Sequence, residues 1–301
     1  MVIDEIKEIY EEQKRGKMKA ILTFIGAYIV MIGMVSVFYG NPLPYKEKIL
    51  FFESMQMGWM ITKGYLLVLC AIVALVVGVG SAICKIMWKF RTLDFVLLQN
   101  CDTKTYLEVM EFAVSYGRNI TFKGFQKSVF LLVQQRYVLA MIADLKLKEA
   151  RQYLNYEWVG NRGGRLYRQI NINLNLIGMY QSQNLEGFQT VFKRAGRAFQ
   201  NNKIFIAEKF FLEQRYGDAV EVLNNYKEKM AYNEVNRNYL LGRCYDRLGN
   251  RQLAEEHMRY TVANGNTMPC REKAKEWLLA SSLKLLEQKG ELWCGGENIG
   301  E

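Results

Sequence analysis

The chain has 301 residues, half of them hydrophobic, and a formal net charge of +10 at pH 7. Its 3 prolines and 24 glycines argue against a disordered chain or a loop-rich all-β protein. Its 6 cysteines contain no CxxC pair and there is 1 histidine, so we expect neither a disulfide framework nor a metal or cofactor site.

Two long apolar runs lie near the N-terminus. Residues 20–39, AILTFIGAYIVMIGMVSVFY, and residues 65–84, YLLVLCAIVALVVGVGSAIC, contain no charged residue. Each has about the length that crosses a hydrocarbon core of ~30 Å. A buried core helix is the alternative, but uninterrupted runs of this length are rare in cores. We therefore predict a transmembrane hairpin over residues 20–91, with spans at about 20–40 and 64–85.

Basic residues flank this hairpin on both sides. Lys and Arg cluster just before the first run, in KRGKMK, and again just after the second, whereas the connecting loop has little net charge. The positive-inside rule then places residues 1–19 and everything after residue 91 in the cytoplasm. The sequence thus predicts an integral membrane protein whose N-terminal segment and C-terminal domain are both cytoplasmic.

Small residues follow one face of each predicted span. In the first span, Gly26, Gly33 and Gly40 recur every seven residues. Small residues allow close helix packing in lipid, so we expect them to seal the hairpin. A homodimer formed through the same face is the competing interpretation.

From residue 92 onward the apolar spacing is helical. We predict connecting helices over 92–126, a helical repeat domain over 127–288 and a flexible tail over 289–301. Asp102 or Thr103 is expected to cap the first helix and Thr267 the last. The predicted helices lie near residues 103–117, 122–143, 146–158, 164–182, 185–199, 202–214, 216–230, 234–248, 250–264 and 270–288.

One segment carries the spacing of a known repeat. Gly242 and Ala254 are placed where two helices of a pair would cross, and the full pattern comprises Leu241, Gly242, Tyr245, Gly249, Ala254 and Met258. It recurs 35 residues earlier at Ala207, Phe210, Ala219 and Leu223, and again at Ala150 and Leu154. Residues 127–264 therefore resemble four degenerate tetratricopeptide repeats. They lack the family's signature Trp and the Pro that ends most repeats of the family, and a generic α-solenoid is the alternative.

The resemblance implies an all-α fold and a groove that binds a peptide or a helix of a partner protein. In that family, the groove is lined by the first helix of each pair. The corresponding residues here are Arg168, Asn171, Asn175, Asn201, Glu208, Phe211, Asn236, Tyr239, Arg243 and Asp246.

The positive charge is concentrated between residues 151 and 203. We call its eight cations the basic patch, and expect it to meet an acidic protein segment or anionic lipid headgroups. Nucleic acid is not expected as a partner. The basic patch consists of Arg151, Arg162, Arg165, Arg168, Lys193, Arg194, Arg197 and Lys203.

No catalytic constellation is found in the sequence. His257 is the single histidine, predicted to be a surface residue, and it leaves no basis for a Cys–His or Ser–His–Asp arrangement. The sequence therefore predicts a membrane-anchored adaptor or scaffold at the cytoplasmic face rather than an enzyme. The alternative is an accessory subunit of a membrane transport or secretion complex, which it would contact through the hairpin.

Overall fold

The structure is a computed structural model of the chain. It divides into two units, Met1–Thr92 and Leu93–Glu301. For residues 125–126 and 284–294 only the backbone is described. The described residues are 7, 9–11, 21–26, 28–30, 72, 84, 87–119 and 125–294.

The first unit bears on the predicted membrane hairpin. Most of the predicted spans lies outside the described residues, although residues 21–26 and 28–30 are helical. In the part of the chain that the structure describes, no helix combines the length and the apolar character needed to cross a membrane.

The second unit confirms the all-α prediction, because every regular element among its described residues is a helix. Residues 87–98 are helical. Eleven labelled helices follow within the described ranges: α1 Thr103–Arg118, α2 Phe125–Ala143, α3 Leu147–Tyr156, α4 Arg165–Gln181, α5 Leu185–Arg194, α6 Arg197–Gln200, α7 Lys203–Leu212, α8 Tyr216–Asn224, α9 Ala231–Arg247, α10 Arg251–Asn264 and α11 Pro269–Cys294.

Three predicted segments differ from these by more than three residues. The helix predicted over 185–199 is interrupted, because Ala195 and Gly196 adopt extended backbone between α5 and α6. The helix predicted over 216–230 ends earlier, at Asn224. The predicted tail, 289–301, is helical as far as Cys294, and its remaining residues lie outside the described part.

Four helix hairpins repeat one turn geometry. The pairs α2–α3, α4–α5, α7–α8 and α9–α10 are each joined by three residues, and the middle one has positive φ. In each turn the next residue donates its N–H to the carbonyl five residues back, at 2.8–2.9 Å, which satisfies the end of the first helix. The four left-handed residues are Leu145 (φ 58°), Gln183 (φ 54°), Gln214 (φ 60°) and Gly249 (φ 76°).

These turns give a common register for the core. The residue five positions after each left-handed residue is fully buried in all four hairpins. Ala occupies it in three hairpins and the larger Phe188 in the α4–α5 pair. The turns are separated by 38, 31 and 35 residues (183 − 145, 214 − 183 and 249 − 214). The turn of the α4–α5 pair therefore departs from a regular spacing of 35 residues. The four buried residues are Ala150, Phe188, Ala219 and Ala254.

The crossing predicted at Gly242 is present. Gly242 is buried between α9 and α10, and a Cβ atom there would lie 3.1–3.2 Å from side-chain atoms of Met258. Ala254, on the facing helix, is also fully buried. Only a very small side chain fits at this approach of two helices.

The two ends of the second unit are joined by hydrogen bonds. Asp102 caps α1 by accepting from the Thr105 N–H at 3.1 Å, as predicted. The prediction that Thr267 caps the last helix was wrong. Its hydroxyl instead donates to Asp102 Oδ1 at 2.8 Å, and its carbonyl accepts from Thr103 Oγ1 at 3.0 Å, 164 residues away in the sequence.

Candidate functional site

Arg243, on α9, lies among aromatic rings contributed by three different helices. Its Nη1 donates to the Tyr180 hydroxyl of α4 at 2.6 Å. Its guanidinium carbon lies 4.3 Å from the ring centre of Phe211, on α7, and 5.8 Å from that of Tyr239. Cation–π contacts of this kind become stronger as water is excluded, and both Tyr180 and Phe211 are buried.

Glu208, on α7, faces the same place. One carboxylate oxygen, Oε2, is buried and has no hydrogen-bond partner among the described residues. Burial raises the pKa of Glu208 to about 8, and the nearby positive charge of Arg243 opposes that rise. The two groups nevertheless form no ion pair within 4.0 Å in the described chain.

We call Tyr180, Glu208, Phe211, Tyr239 and Arg243 the Arg243 cluster. Two members, Tyr180 and Phe211, form a buried aromatic floor, and the other three are half-buried. Burying a polar group without a partner costs free energy, so a ligand group that reached Glu208 Oε2 would remove that cost.

A second cation lies close to the Arg243 cluster. Lys273, on α11, donates from Nζ to the Gln181 side chain at 2.9 Å. Burial lowers the pKa of Lys273, and the charge of Arg243 lowers it further, while Glu276 acts in the opposite direction. Arg243 and Lys273 thus bring positive charge to a site whose own carboxyl, Glu208, is largely protonated at neutral pH.

The sequence-predicted groove is only partly assembled. Glu208, Phe211, Tyr239 and Arg243 come together in the Arg243 cluster. Asn236 bonds the Tyr232 carbonyl at 3.1 Å, one turn earlier on α9. The other predicted members lie elsewhere: Asn201 and Asp246 are exposed near helix ends, Arg168 is exposed on α4, and Asn171 and Asn175 bond each other while Arg151 bonds Asn175.

The departure on α4 has a definite cause, which is a slip of two residues in register. Counted back from the left-handed turn residues, Glu208 and Arg243 both lie six positions before their turns, and the equivalent residue of α4 is Ile177. Likewise Phe211 lies three positions before its turn, and its equivalent on α4 is Tyr180. Sequence reasoning therefore missed Tyr180, which the left-handed turn at Gln183 would have identified.

The basic patch is solvent-exposed throughout. All eight of its side chains are exposed, and none forms an ion pair with a described residue. Arg151 donates to Asn175 Oδ1 at 2.8 Å and Arg162 donates to the Asn155 carbonyl. The remaining six have no side-chain hydrogen bond to a described residue.

The prediction of a surface position for His257 was wrong. Its Nδ1 lies 2.9 Å from Oδ1 of the buried Asn238, its ring stacks on Tyr245, and the residue is half-buried. Burial lowers the pKa of His257. This contact joins α9 to α10, so the role it supports is structural. Within the described residues, no group of His, Cys, Asp and Glu side chains is arranged to hold a metal ion.

The fold and the site together define a class of protein. Its members consist of successive antiparallel helix hairpins, with a charged and aromatic site between the first helices of the hairpins. The chain matches no protein-family model, no curated protein and no solved structure.

Proposed function

We propose that this protein is a membrane-anchored adaptor whose helical repeats resemble tetratricopeptide repeats and hold a segment of a partner protein at the Arg243 cluster. The observation that carries the proposal is the combination of Arg243, which lies over a floor of aromatic rings, with the nearby carboxyl of Glu208, whose Oε2 has no hydrogen-bond partner among the described residues. These groups come from α4, α7 and α9, which are the first helices of three successive hairpins. A ligand lying along those helices would contact all of them.

The chemistry of the Arg243 cluster favours binding of a peptide or a helix. Large aromatic side chains and Arg dominate the energy of protein interfaces, especially where they are partly enclosed. The half-buried Tyr239 and Arg243 provide such anchors, and Glu208 provides a hydrogen-bonding group. An adaptor needs no further chemistry from this site.

Anchoring by residues 20–91, with both ends cytoplasmic, belongs to the same proposal. It is supported by the two uncharged runs and by the exposure of apolar side chains within the first one. Between residues 21 and 30, exposed apolar side chains would be unfavourable in water and favourable in lipid. They are Ile21, Leu22, Ile25, Ile29 and Val30, each at least 44% exposed.

The test is quantitative capture of partner proteins with the full chain from detergent-solubilised native membranes. Changing Tyr239 and Arg243 together to Ala should reduce the recovery of the specific partner at least about tenfold, because two anchors are lost. Arg259 and Tyr260 provide a matched control, since they are the same residue types and are exposed on α10. Equal recovery with both double variants would refute the proposal.

A second comparison separates the adaptor from an accessory subunit that acts through its hairpin. Residues 1–91 are exchanged for an unrelated two-span anchor of the same orientation. An adaptor keeps its partner after the exchange, because the Arg243 cluster is unchanged. Loss of the partner after the exchange, with the Tyr239 and Arg243 variants still binding, would favour the accessory subunit.

A further inference from the structure

The end of α3 and the loop that joins it to α4 present two apolar side chains to solvent. Tyr156 is 79% exposed and Val159 is 45% exposed. Between them, Trp158 is buried and its ring lies 6.2 Å from that of Tyr167, on α4. Gln134, itself buried, accepts from the Val159 N–H at 3.2 Å and donates to the Glu157 carbonyl at 3.0 Å. The loop is thus held in place by contacts beneath it, while an aromatic residue at the end of α3 and an aliphatic residue of the loop are exposed.

Most of the basic patch gathers around this loop. Short connections make α3, α4 and α5 successive antiparallel neighbours, so α3 ends where α4 begins, and α5 returns toward the same end. The start of α7 follows through the short helix α6. Seven cations therefore lie toward one end of these helices: Arg162, Arg165, Arg168, Lys193, Arg194, Arg197 and Lys203.

Among the described residues, no acidic side chain forms an ion pair with these cations. Glu157, in the loop, is paired with Arg118 of α1. Between residues 158 and 207 the only acid is Glu186, which lies at the opposite end, in the first turn of α5. A fixed protein partner would be expected to engage a cation pocket with defined geometry. Here the charges are instead spread over four helices and a loop, and none has an ion-pair partner in the described part of the chain.

We propose that this end of the repeat domain lies on a bilayer that contains anionic phospholipid. The unpaired cations attract a sheet of negative headgroups, and each favourably placed base strengthens such binding about fivefold. Tyr156 and Val159 enter the interfacial layer, where an amphipathic aromatic ring is favoured. If the second apolar run spans the membrane, residues 85–92 alone separate it from this unit, which keeps the domain close to the surface. The binding itself does not depend on that span.

The experiment measures backbone hydrogen exchange of the full chain in nanodiscs of phosphatidylcholine, with and without phosphatidylglycerol. Exchange of residues 157–164 and 193–203 should be at least about tenfold slower in the anionic discs, and raised salt should abolish the difference. The variant R165E/R168E should lose this protection. Acidic residues are favourable at the start of α4, so the fold is not endangered. The control is K148E/R247E, which reverses two exposed and unpaired cations at other helix ends and should keep the protection.

Equal exchange in neutral and anionic discs, or unchanged protection in R165E/R168E, would overturn the proposal. The first of these results would instead favour an acidic protein as the partner of the basic patch. If the chain does not enter discs, the hairpin proposal fails, and flotation with vesicles of the same two compositions then decides the lipid contact. Neither result bears on partner capture by Tyr239 and Arg243, so the adaptor proposal is judged separately.

Discussion

Arg243 and Tyr180 lie 63 residues apart in the sequence and are joined by a hydrogen bond of 2.6 Å between α9 and α4. The bond links the second helix hairpin to the fourth, across the one that contains Glu208. It places a guanidinium group above Phe211 and near the carboxyl of Glu208, whose Oε2 has no partner in the part of the chain that the structure describes. Because the two residues hold three hairpins in a fixed relation, they both stabilise the domain and shape the Arg243 cluster.

A double-mutant cycle should detect this bond. We expect Tyr180→Phe and Arg243→Met to be coupled by about 1.5–3 kcal/mol, the range for a hydrogen bond to a charged group. The measurement is chemical unfolding of the purified full chain in detergent. Arg259 with Glu255, an exposed pair on one face of α10, should give a coupling of about 0.5 kcal/mol or less. Similar couplings for the two pairs would contradict this interpretation.

The stability of the domain should fall as pH rises through the titration of Glu208. Burial raises its pKa to about 8, so between about pH 4.5 and pH 8 the folded chain keeps a proton that the unfolded chain releases. Ionisation in the folded state is therefore unfavourable. Glu208→Gln cannot ionise and should be more stable than the wild type at pH 9, by on the order of 2–4 kcal/mol.

The Glu208→Gln variant and the wild type should differ little in stability at pH 5, where Glu208 is protonated in the folded chain. The exposed Glu221 on α8 is the control, and Glu221→Gln should not gain the stability at pH 9 that Glu208→Gln gains. A Glu208→Gln variant that loses stability at pH 9 would show that the carboxylate has a partner when ionised.

The close approach at Gly242 predicts a steric effect. Gly242→Val should destabilise the domain by about 1–3 kcal/mol, because added carbon atoms press on Met258 across the crossing of α9 and α10. Gly217, on α8, has no atom within 4 Å of its Cβ position. Gly217→Ala should therefore be neutral or stabilising by up to about 1 kcal/mol. Thermal unfolding of both variants tests these expectations. A Gly242→Val protein as stable as the wild type would contradict the close crossing of α9 and α10 at Gly242.

The repeated left-handed turns predict that one substitution, Gln to Gly, has opposite effects on stability in a turn and within a helix. Gln214 has a φ of 60°, which a side chain disfavours, so Gln214→Gly should stabilise the domain by up to about 1 kcal/mol. Gln152 is exposed within α3, where Gly is unfavourable, and Gln152→Gly should destabilise by about 1 kcal/mol. Effects of the same sign in chemical unfolding would argue against the left-handed turn.

Helical periodicity and small residues were sufficient to predict much of this fold. Most helix ends fall within a few residues of their predicted positions, because apolar spacing is a local feature. The cap at Asp102 and the crossing at Gly242 are local in the same sense, since each depends on residues within one turn or one helix pair.

The predictions that differ from the structure depend on contacts and spacings beyond a single helix or turn, which no local sequence pattern contains. Thr is a residue type that often caps helices, and Thr267 lies just before α11. It bonds instead to Thr103 at the start of α1, 164 residues away in the sequence. Tyr180 was missed because Phe188 replaces the usual Ala in the second hairpin and the spacing of the turns changes there. The predicted groove on α4 was consequently shifted by two residues, onto Asn171 and Asn175.

Site-specific photocrosslinking in intact cells tests the central claim most directly. A photoreactive amino acid at Tyr239 should crosslink a discrete protein partner, and the crosslink should disappear when Arg243→Met is added. The same amino acid at Tyr260, exposed on α10, should not capture that partner. Capture of the same proteins from both positions, unaffected by Arg243→Met, would contradict the assignment of the Arg243 cluster as the binding site.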